Sequence, residues 1–360
     1  MTRPPLESVL VVGTGLIGTS IGLALRSRGI RVHLVDSDPA TARLAADLGA
    51  GQDGPPPHPV DLAVLAVPPA RIAGVLAGLQ AAGAAAAYTD VASVKELPIT
   101  DAAGQGCDLT SYVGGHPMAG RERSGPTAAR GDLFEGRPWV LTPTRTATET
   151  AVATVEQLVL ACGALPVQMD PSAHDQAMAL VSHAPHVMAS LMAARLAQAS
   201  ESAVQLCGQG VRDVTRVAAG DPALWTDILV SNAHAVADVL EAVAADLTNT
   251  VRSLRAGVDP AASADLTDVL TRGSTGQARI PGKHNTPPTR YVVVPVIIGD
   301  RAGELSRLFG DVGEAKVNIE DLAIEHSPGQ PVGLVELSVS PDQAGLLVEE
   351  LRARGWTVQR

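Results

Sequence analysis

The chain has 360 residues, is 46% hydrophobic and only 2% aromatic, and carries a formal net charge of -11. That length holds two or three domains, with a core built from aliphatic side chains, and an acidic balance without any Lys/Arg cluster excludes nucleic acid as a general partner. The three cysteines, Cys107, Cys162 and Cys207, are odd in number and match no metal-ligand spacing, so reduced thiols in a cytoplasmic protein are expected.

A strand begins almost at the first residue, so no secretory leader is expected. No apolar run of ~18 residues is free of charge or turn signals, so no membrane span is expected either. Residues 8 to 13, "SVLVVG", read as a buried strand ending in glycine. "TGLIGTSIGLALRSRG" follows with apolar residues at helical spacing and a stop at Gly29. "IRVHLVDSD" is a second strand, "ATARLAADLGA" a short helix, and "VDLAVLAVPP" a strand halted by prolines. "AAAYTDVAS", "YVGGHP" and "RPWVLTP" read as further strand ends. Strands alternating with short helices predict a doubly wound parallel sheet, an α/β Rossmann domain over residues 1–170.

After about residue 170 the strand signals stop. "HDQAMALVSHAPHVMASLMAARLAQA" and "DPALWTDILVSNAHAVADVLEAVAADLTNTVRSLRAG" predict an all-α second domain over 171–280. The Gly/Pro/Thr-rich "RGSTGQARIPGKHNTPPTR" reads as a linker, centred on 281–290. Residues 291–360 then give strand, helix, strand, strand, helix, strand, the ferredoxin-like α+β order.

"VVGTGLIGTSIG" supplies Gly13, Gly15 and Gly18 in G-x-G-x-x-G spacing between a strand and a helix. Gly13 permits a tight turn, Gly15 lets backbone approach a pyrophosphate, and Gly18 lets helix pack on strand. The helix N-terminus offers free N–H groups to the phosphates. Leu16 and Ile17 in that turn, and Val67 and Pro68 where "VDLAVLAVPP" stops, complete the expected cofactor contacts. Asp36 ends the next strand, placed to accept hydrogen bonds from ribose hydroxyls. With Asp38 near it and no adjacent arginine, a 2′-phosphate is repelled, so NAD is the expected cofactor.

Four further segments stand out: "DVASVK" at 90–95, "GGHPMAGRERSG" at 114–125, "VSHAPH" at 181–186 and "VRDVTRVAAGDPALW" at 211–225. The middle of the second reads as a loop with a histidine behind two glycines. Arg212 and Arg216 are four apart, so on a helix they face the same way. His183 and His186 lie three apart on a helix, but no third ligand sits at a useful spacing, so no metal site is expected.

With these four segments in this order the chain resembles the prephenate/arogenate dehydrogenase family of tyrosine biosynthesis. The resemblance makes His116 the catalytic residue. The family's substrate is a cyclohexadiene with a hydroxyl and a hydrogen on one ring carbon and a carboxylate on the carbon opposite. The hydroxyl gives up its proton as hydride leaves to NAD, and loss of carbon dioxide aromatises the ring. Imidazole, with an unperturbed pKa of about 6.5, suits that proton transfer.

By the same resemblance Ser93 hydrogen-bonds His116 and helps place it, and Arg216 grips a substrate carboxylate. Arg212 has a secondary electrostatic role, His186 lines the substrate pocket with His183 near it, and Trp225 stands between pocket wall and core. Arg121 replaces a small hydroxyl residue found in some members, which leaves its contact and the choice between prephenate and arogenate open.

Residues 291–360 resemble an ACT domain, which implies a tyrosine or other aromatic amino acid effector. Gly303 would let backbone meet that ligand, and Asn318 begins the next strand. Long apolar helices suggest a homodimer. A 3-hydroxyacid dehydrogenase shares the Rossmann-plus-helices plan but works with a lysine on the helical domain, and residues 151–280 contain no lysine. An NAD-binding redox sensor would not need His116, Ser93 and Arg216 together.

Overall fold

The computed structural model describes residues 5–120, 124–280, 291–326 and 332–359. It divides into two compact units, residues 1–243 and 244–360. The expected linker at 281–290 and Arg121 lie outside the described residues.

The first unit is built on β1 (Ser8–Val12), α1 (Leu16–Arg26), β2 (Arg31–Val35), α2 (Pro39–Asp47), β3 (Gln52–Asp53), β4 (Val60–Leu65), α3 (Ile72–Ala81), β5 (Ala85–Asp90), α4 (Glu96–Gly104), β6 (Tyr112–Pro117), β7 (Pro138–Pro143), α5 (Glu149–Ala161) and β8 (Leu165–Gln168). The eight strands lie in the order β3-β2-β1-β4-β5-β6-β7-β8. Helices cover both faces, so Val9, Leu10, Val11, Leu62, Ala63, Val64 and Leu65 are all buried as continuous runs rather than in alternation. Trp139 and Phe134 pack against each other on one face, within a cluster otherwise made largely of Val, Leu and Ala.

The sheet is not wholly parallel. β6 and β7 pair antiparallel, with Gly115 opposite Leu141. A parallel return needs a crossover of a dozen or more residues, usually a helix. Among the described residues the segment between β6 and β7 holds only a 3₁₀ turn, Pro126–Ala128, so the chain comes back beside its own strand.

The helices that follow are α6 (Pro171–Met178), α7 (Ala184–Leu196), α8 (Glu201–Val204), α9 (Gln209–Thr215), α10 (Pro222–Ser231) and α11 (Ala233–Ala256). α6 and α7 are joined by a π-helical segment, Ala179–His183. Pro185 sits just inside α7 and has no N–H to give to the preceding turn, and widening that turn removes the conflict. Together they span 26 residues, Pro171–Leu196, long and apolar enough by length and composition to cross a membrane, a test that the core helix of a soluble protein also passes. In this fold His174, Asp175 and His183 on that span are buried in a hydrogen-bonded interior.

α6 packs against α4 and β7, and α10 against the 3₁₀ turn Pro69–Arg71. The helices through α10 thus belong to the same compact unit as the sheet, and the division between the two compact units falls inside α11.

The second unit holds α12 (Pro260–Gln277), β9 (Val292–Gly299), α13 (Glu304–Glu314), β10 (Asp321–His326), β11 (Val332–Val339), α14 (Pro341–Ala353) and β12 (Thr357–Val358). The "RGSTGQ" that begins the expected linker is helical, because α12 runs through Gly273 and Gly276 to Gln277. Its strands form an antiparallel sheet in the order β10-β11-β9-β12, the ferredoxin-like arrangement. Alternate residues Val294, Val296 and Ile298 of β9 and Val335, Leu337 and Val339 of β11 are buried, together with Leu308, Val312, Leu347 and Leu351 of the two helices.

Candidate active site

The glycine turn after β1 carries the features of a dinucleotide cradle. Gly13 has φ +96°, and a Cβ there would lie 2.2 Å from the Ala66 carbonyl oxygen. At Gly18 a Cβ would lie 1.9 Å from the Gly13 oxygen. At Gly15 a Cβ would meet nothing within 4 Å. Two of the glycines are therefore demanded by the protein's own packing, and the third keeps open space at the start of α1, where the helix has no side-chain cap. Open, uncapped N–H groups at a helix start fit a phosphate.

Leu16 and Ile17 are half-buried in the first turn of α1. Val67 is half-buried beside Gly13, and Pro68 is exposed next to it.

Asp36 follows β2. Its Oδ2 accepts from the Thr14 N–H at 2.6 Å and hydroxyl at 2.9 Å, and its Oδ1 from the Asp38 N–H at 2.9 Å. Burial alone would raise its pKa, but the hydrogen bonds from Asp38, Thr14 and Ser37 outweigh it, and the carboxyl is held below its ordinary value. A carboxylate at this point suits ribose hydroxyls and repels a further phosphate.

Gly114, Gly115 and His116 are in strand β6, not in a loop. The two glycines answer to close packing. A Cβ on Gly115 would sit 2.6 Å from the Asp90 carbonyl oxygen, and one on Gly114 2.5 Å from Thr142 Oγ1. Behind them lies a fully buried ion pair between Lys95 and Asp90. The Lys95 ammonium also donates to the Gly115 carbonyl at 2.5 Å, and the Tyr112 hydroxyl donates to Asp90 Oδ2 at 2.5 Å. Burial pushes the Lys95 ammonium pKa down while Asp90 pulls it up. Burial first, and then Asp90, drives the Tyr112 phenol well above its usual value.

His116 is half-buried. Its Nδ1 lies 2.9 Å from His174 Nε2, and His174 Nδ1 lies 2.7 Å from Asp175 Oδ1. Asp175 Oδ1 and Oδ2 accept from the Lys95 and Glu96 N–H groups at 2.8 and 2.9 Å. The Asn232 amide donates to the Asp175 carbonyl at 2.8 Å and lies 3.0 Å from His183 Nδ1. Burial, then the positive charge of Lys95, then His174 and His183, hold the His116 pKa well below the ordinary imidazole value. Burial also lowers His183 to about 4.

His186 stacks face to face on Trp225, with ring centroids 3.5 Å apart, and His183 meets the same ring edge-on at 6.4 Å. Gly220 makes this possible, since a Cβ there would lie 2.5 Å from Trp225 Nε1 and 3.1 Å from His186 Cε1. His186 Nδ1 is buried and has no partner among the described residues.

Ser93 is half-buried in the turn between β5 and α4, and no hydrogen bond joins it to His116. Arg212 and Arg216 are both exposed and form no ion pair among the described residues. They do not share one regular helix, because α9 ends at Thr215 and Arg216 opens a 3₁₀ turn, Arg216–Ala219, that packs on α7.

The residues that sequence reasoning missed are His174, Asp175 and Asn232, together with the buried pair Lys95 and Asp90. Adjacent His and Asp at a helix start was the available signal. Its meaning depends on a contact across 58 residues of chain.

A glycine cradle for a dinucleotide and a desolvated histidine, both in the first compact unit, fit an NAD-dependent dehydrogenase. Comparison narrows the class. Residues 21–167 match the sequence model of the family described as prephenate dehydrogenase, nucleotide-binding domain, and residues 170–270 that of the prephenate dehydrogenase dimerization domain. The chain belongs to the prephenate dehydrogenase family, and is an NAD-dependent oxidoreductase of that family.

It is 42% identical over 358 residues to the probable prephenate dehydrogenase NovF of Streptomyces niveus, covering 98% of this chain and 99% of that one. Among solved structures it is similar to prephenate dehydrogenase from Aquifex aeolicus in complex with hydroxyphenyl propionate and NAD+, with a TM-score of 0.66 and 26% identity over 76% of this chain and 99% of that one. It is also similar to Synechocystis arogenate dehydrogenase, with a TM-score of 0.62 and 27% identity over 75% of this chain and 99% of the other.

Proposed function

We propose that the chain converts prephenate to 4-hydroxyphenylpyruvate by oxidative decarboxylation, with His116 as the general base. The observation that carries this reading is the state of His116. Its Nδ1 is engaged by His174, and no hydrogen bond among the described residues engages Nε2. Desolvation keeps the ring neutral. A neutral imidazole with a free nitrogen can accept the substrate hydroxyl proton, a contribution of ~10²–10⁴-fold.

NAD, when bound, supplies the hydride acceptor. Gly13, Gly15, Leu16, Ile17 and Gly18 would hold its pyrophosphate, Val67 and Pro68 would flank it, and Asp36 would take the ribose hydroxyls. Arg216, exposed and without an ion pair among the described residues, is available to a substrate carboxylate, and Arg212 adds positive potential. His186 and Trp225 form one apolar wall, with His183 behind it. Ser93 lies in the turn between β5 and α4 that carries Lys95, and without a hydrogen bond to His116 it is left without an orienting role.

Two further assignments follow. The helical segment forms a homodimer: in support, Leu180, Val181, Leu191 and Leu206 are 62, 63, 55 and 86% exposed, apolar side chains that a second copy would cover. The ferredoxin-like region is an ACT-like module that binds an aromatic amino acid such as tyrosine. Supporting this, Gly303 adopts φ +93° in a loop bordering a cavity of about 240 Å3 lined by Ile298, Asp300, Arg301 and Gly333.

The test is purified protein with prephenate or arogenate and with NAD or NADP, followed by nicotinamide absorbance with and without tyrosine. Prephenate with NAD is the expected productive pair, and faster turnover of arogenate would reassign the substrate. His116→Asn is expected to cut kcat by ~10²-fold or more with little change in KM. Retained turnover would remove His116 from the role.

A further inference from the structure

Asp175 is the fixed point of the hydrogen-bonded set around His116. Each of its recorded contacts comes from an N–H group: Lys95 N at 2.8 Å to Oδ1 and 3.1 Å to Oδ2, Glu96 N at 2.9 Å to Oδ2, and His174 Nδ1 at 2.7 Å. The backbone donors are the first N–H groups of α4, so the carboxylate sits on the positive end of a helix. A carboxylate so held only accepts. The rest follows by donor and acceptor accounting. His174 carries its proton on Nδ1, its Nε2 accepts, and His116 carries its proton on Nδ1. The lone pair of His116 is then on Nε2, the nitrogen the proposed reaction needs.

We propose that Asp175 and His174 are the positioning residues of this site: Asp175 sets the tautomer of His174, His174 sets that of His116, and His174 receives the Nδ1 proton when His116 takes the proton of the substrate. This rests on His116 being the base. In the step, the substrate O–H bond breaks and a bond forms from that hydrogen to His116 Nε2. The His116 Nδ1–H bond breaks and the proton moves 2.9 Å along the existing contact to His174 Nε2. His116 ends neutral, and the positive charge rests on His174 beside the Asp175 carboxylate.

The chain has no access to water at its inner end, because His174 and Asp175 are 0 and 1% exposed. The charged and titratable groups facing it are Lys95 and Asp90 from the β5–α4 segment, Tyr112 from β6 and His183 from the π-helical segment. Lys95 opposes a second positive charge on these rings, and Asp175 is the carboxylate in direct contact with either of them.

The test uses the full-length enzyme with NAD and prephenate. Asp175→Asn removes the charge and offers an amide N–H that can turn His174 around, leaving His116 with Nε2–H toward the substrate. By analogy with a triad carboxylate, kcat is expected to fall by ~10²–10⁴-fold. KM and NAD affinity should stay unchanged, and the acidic limb of kcat/KM should move to lower pH. His174→Gln, whose amide oxygen can still accept from His116, keeps the tautomer but cannot take the proton. It is expected to lose less, and to turn a bowed proton inventory for the single-turnover rate into a linear one. A merely structural role would move melting temperature, KM and NAD affinity together and leave the limb in place.

Unchanged kcat and pH limb in both variants would overturn the proposal, and so would a linear proton inventory in the wild-type enzyme, which decides the matter if the variants do not fold. Loss of turnover in His116→Asn without loss in Asp175→Asn sinks this inference alone. Retained turnover in His116→Asn sinks the base assignment beneath it.

Discussion

His116 shows why the burial of a base matters more than its identity. In water an imidazole titrates near 6.5. Here burial, Lys95, His174 and His183 all work against the charged form. In the proposed reaction the active form is the neutral one, so lowering the pKa extends activity toward acid. The acidic fall in kcat/KM is therefore expected below the ordinary imidazole range. A profile of kcat/KM against pH in saturating NAD checks this, and a limb at or above 6.5 would show that the cluster does not tune the ring as described. The exposed guanidinium of Arg216 is the opposite case. Its proposed part is to grip a carboxylate with its fixed fork rather than to move a proton.

The turn from β1 to α1 allows a sharper comparison between neighbouring positions. A Cβ on Gly18 runs into the Gly13 carbonyl, whereas one on Gly15 enters open space. Gly18→Ala should therefore lose about 1–3 kcal/mol or more of stability, read as a drop in melting temperature without NAD. Gly15→Ala should melt like the wild type and lose NAD affinity, because its added methyl occupies room left for the pyrophosphate. The pair is checked by melting curves and NAD titration, and a Gly15 variant that binds NAD normally would count against the cradle. The β6 strand carries a similar lesson. Its glycines let Asp90, Lys95 and Thr142 close behind the strand, which puts the His116 ring on a rigid element rather than on a loop.

For the molecule as a whole, acid should be destabilising through its buried histidines. His183 is held neutral, with a folded-state pKa of about 4, against about 6.5 in an unfolded chain. The folded state binds fewer protons than the unfolded state between those values. The stability due to its neutral burial is fully present above 6.5 and is lost as pH falls from there toward 4. Urea midpoints at pH 7.0 and 4.5 should differ, and the difference should shrink in His183→Gln, whose amide can still meet Asn232. Equal slopes in the two proteins would assign the acid sensitivity elsewhere. The homodimer proposed for the helical segment would add a concentration dependence to these midpoints.

Much of this protein can be read along the chain because the relevant forces are local. The glycine fingerprint, Asp36 at the end of β2 and the ferredoxin-like order of β9 to β12 depend on backbone conformation and side-chain period, which neighbours in sequence set. The strand reading of "YVGGHP" followed the same logic, while the glycines beside His116 suggested a loop and turned out to answer to packing. The spacing of Arg212 and Arg216 failed for a related reason, since nothing in four residues says where α9 tightens into a 3₁₀ turn.

His174 and Asp175 offered only a faint signal in the sequence, an adjacent pair at a helix start. Their meaning arises only when β6, α4 and α6 meet, bringing a histidine 58 residues and a backbone amide 80 residues away into contact. Residue types and local turns were determined by the sequence itself. Which nitrogen is free, which carboxylate is buried and which way a pKa moves were decided by tertiary packing, because desolvation and hydrogen bonding act between groups that only the folded chain brings together.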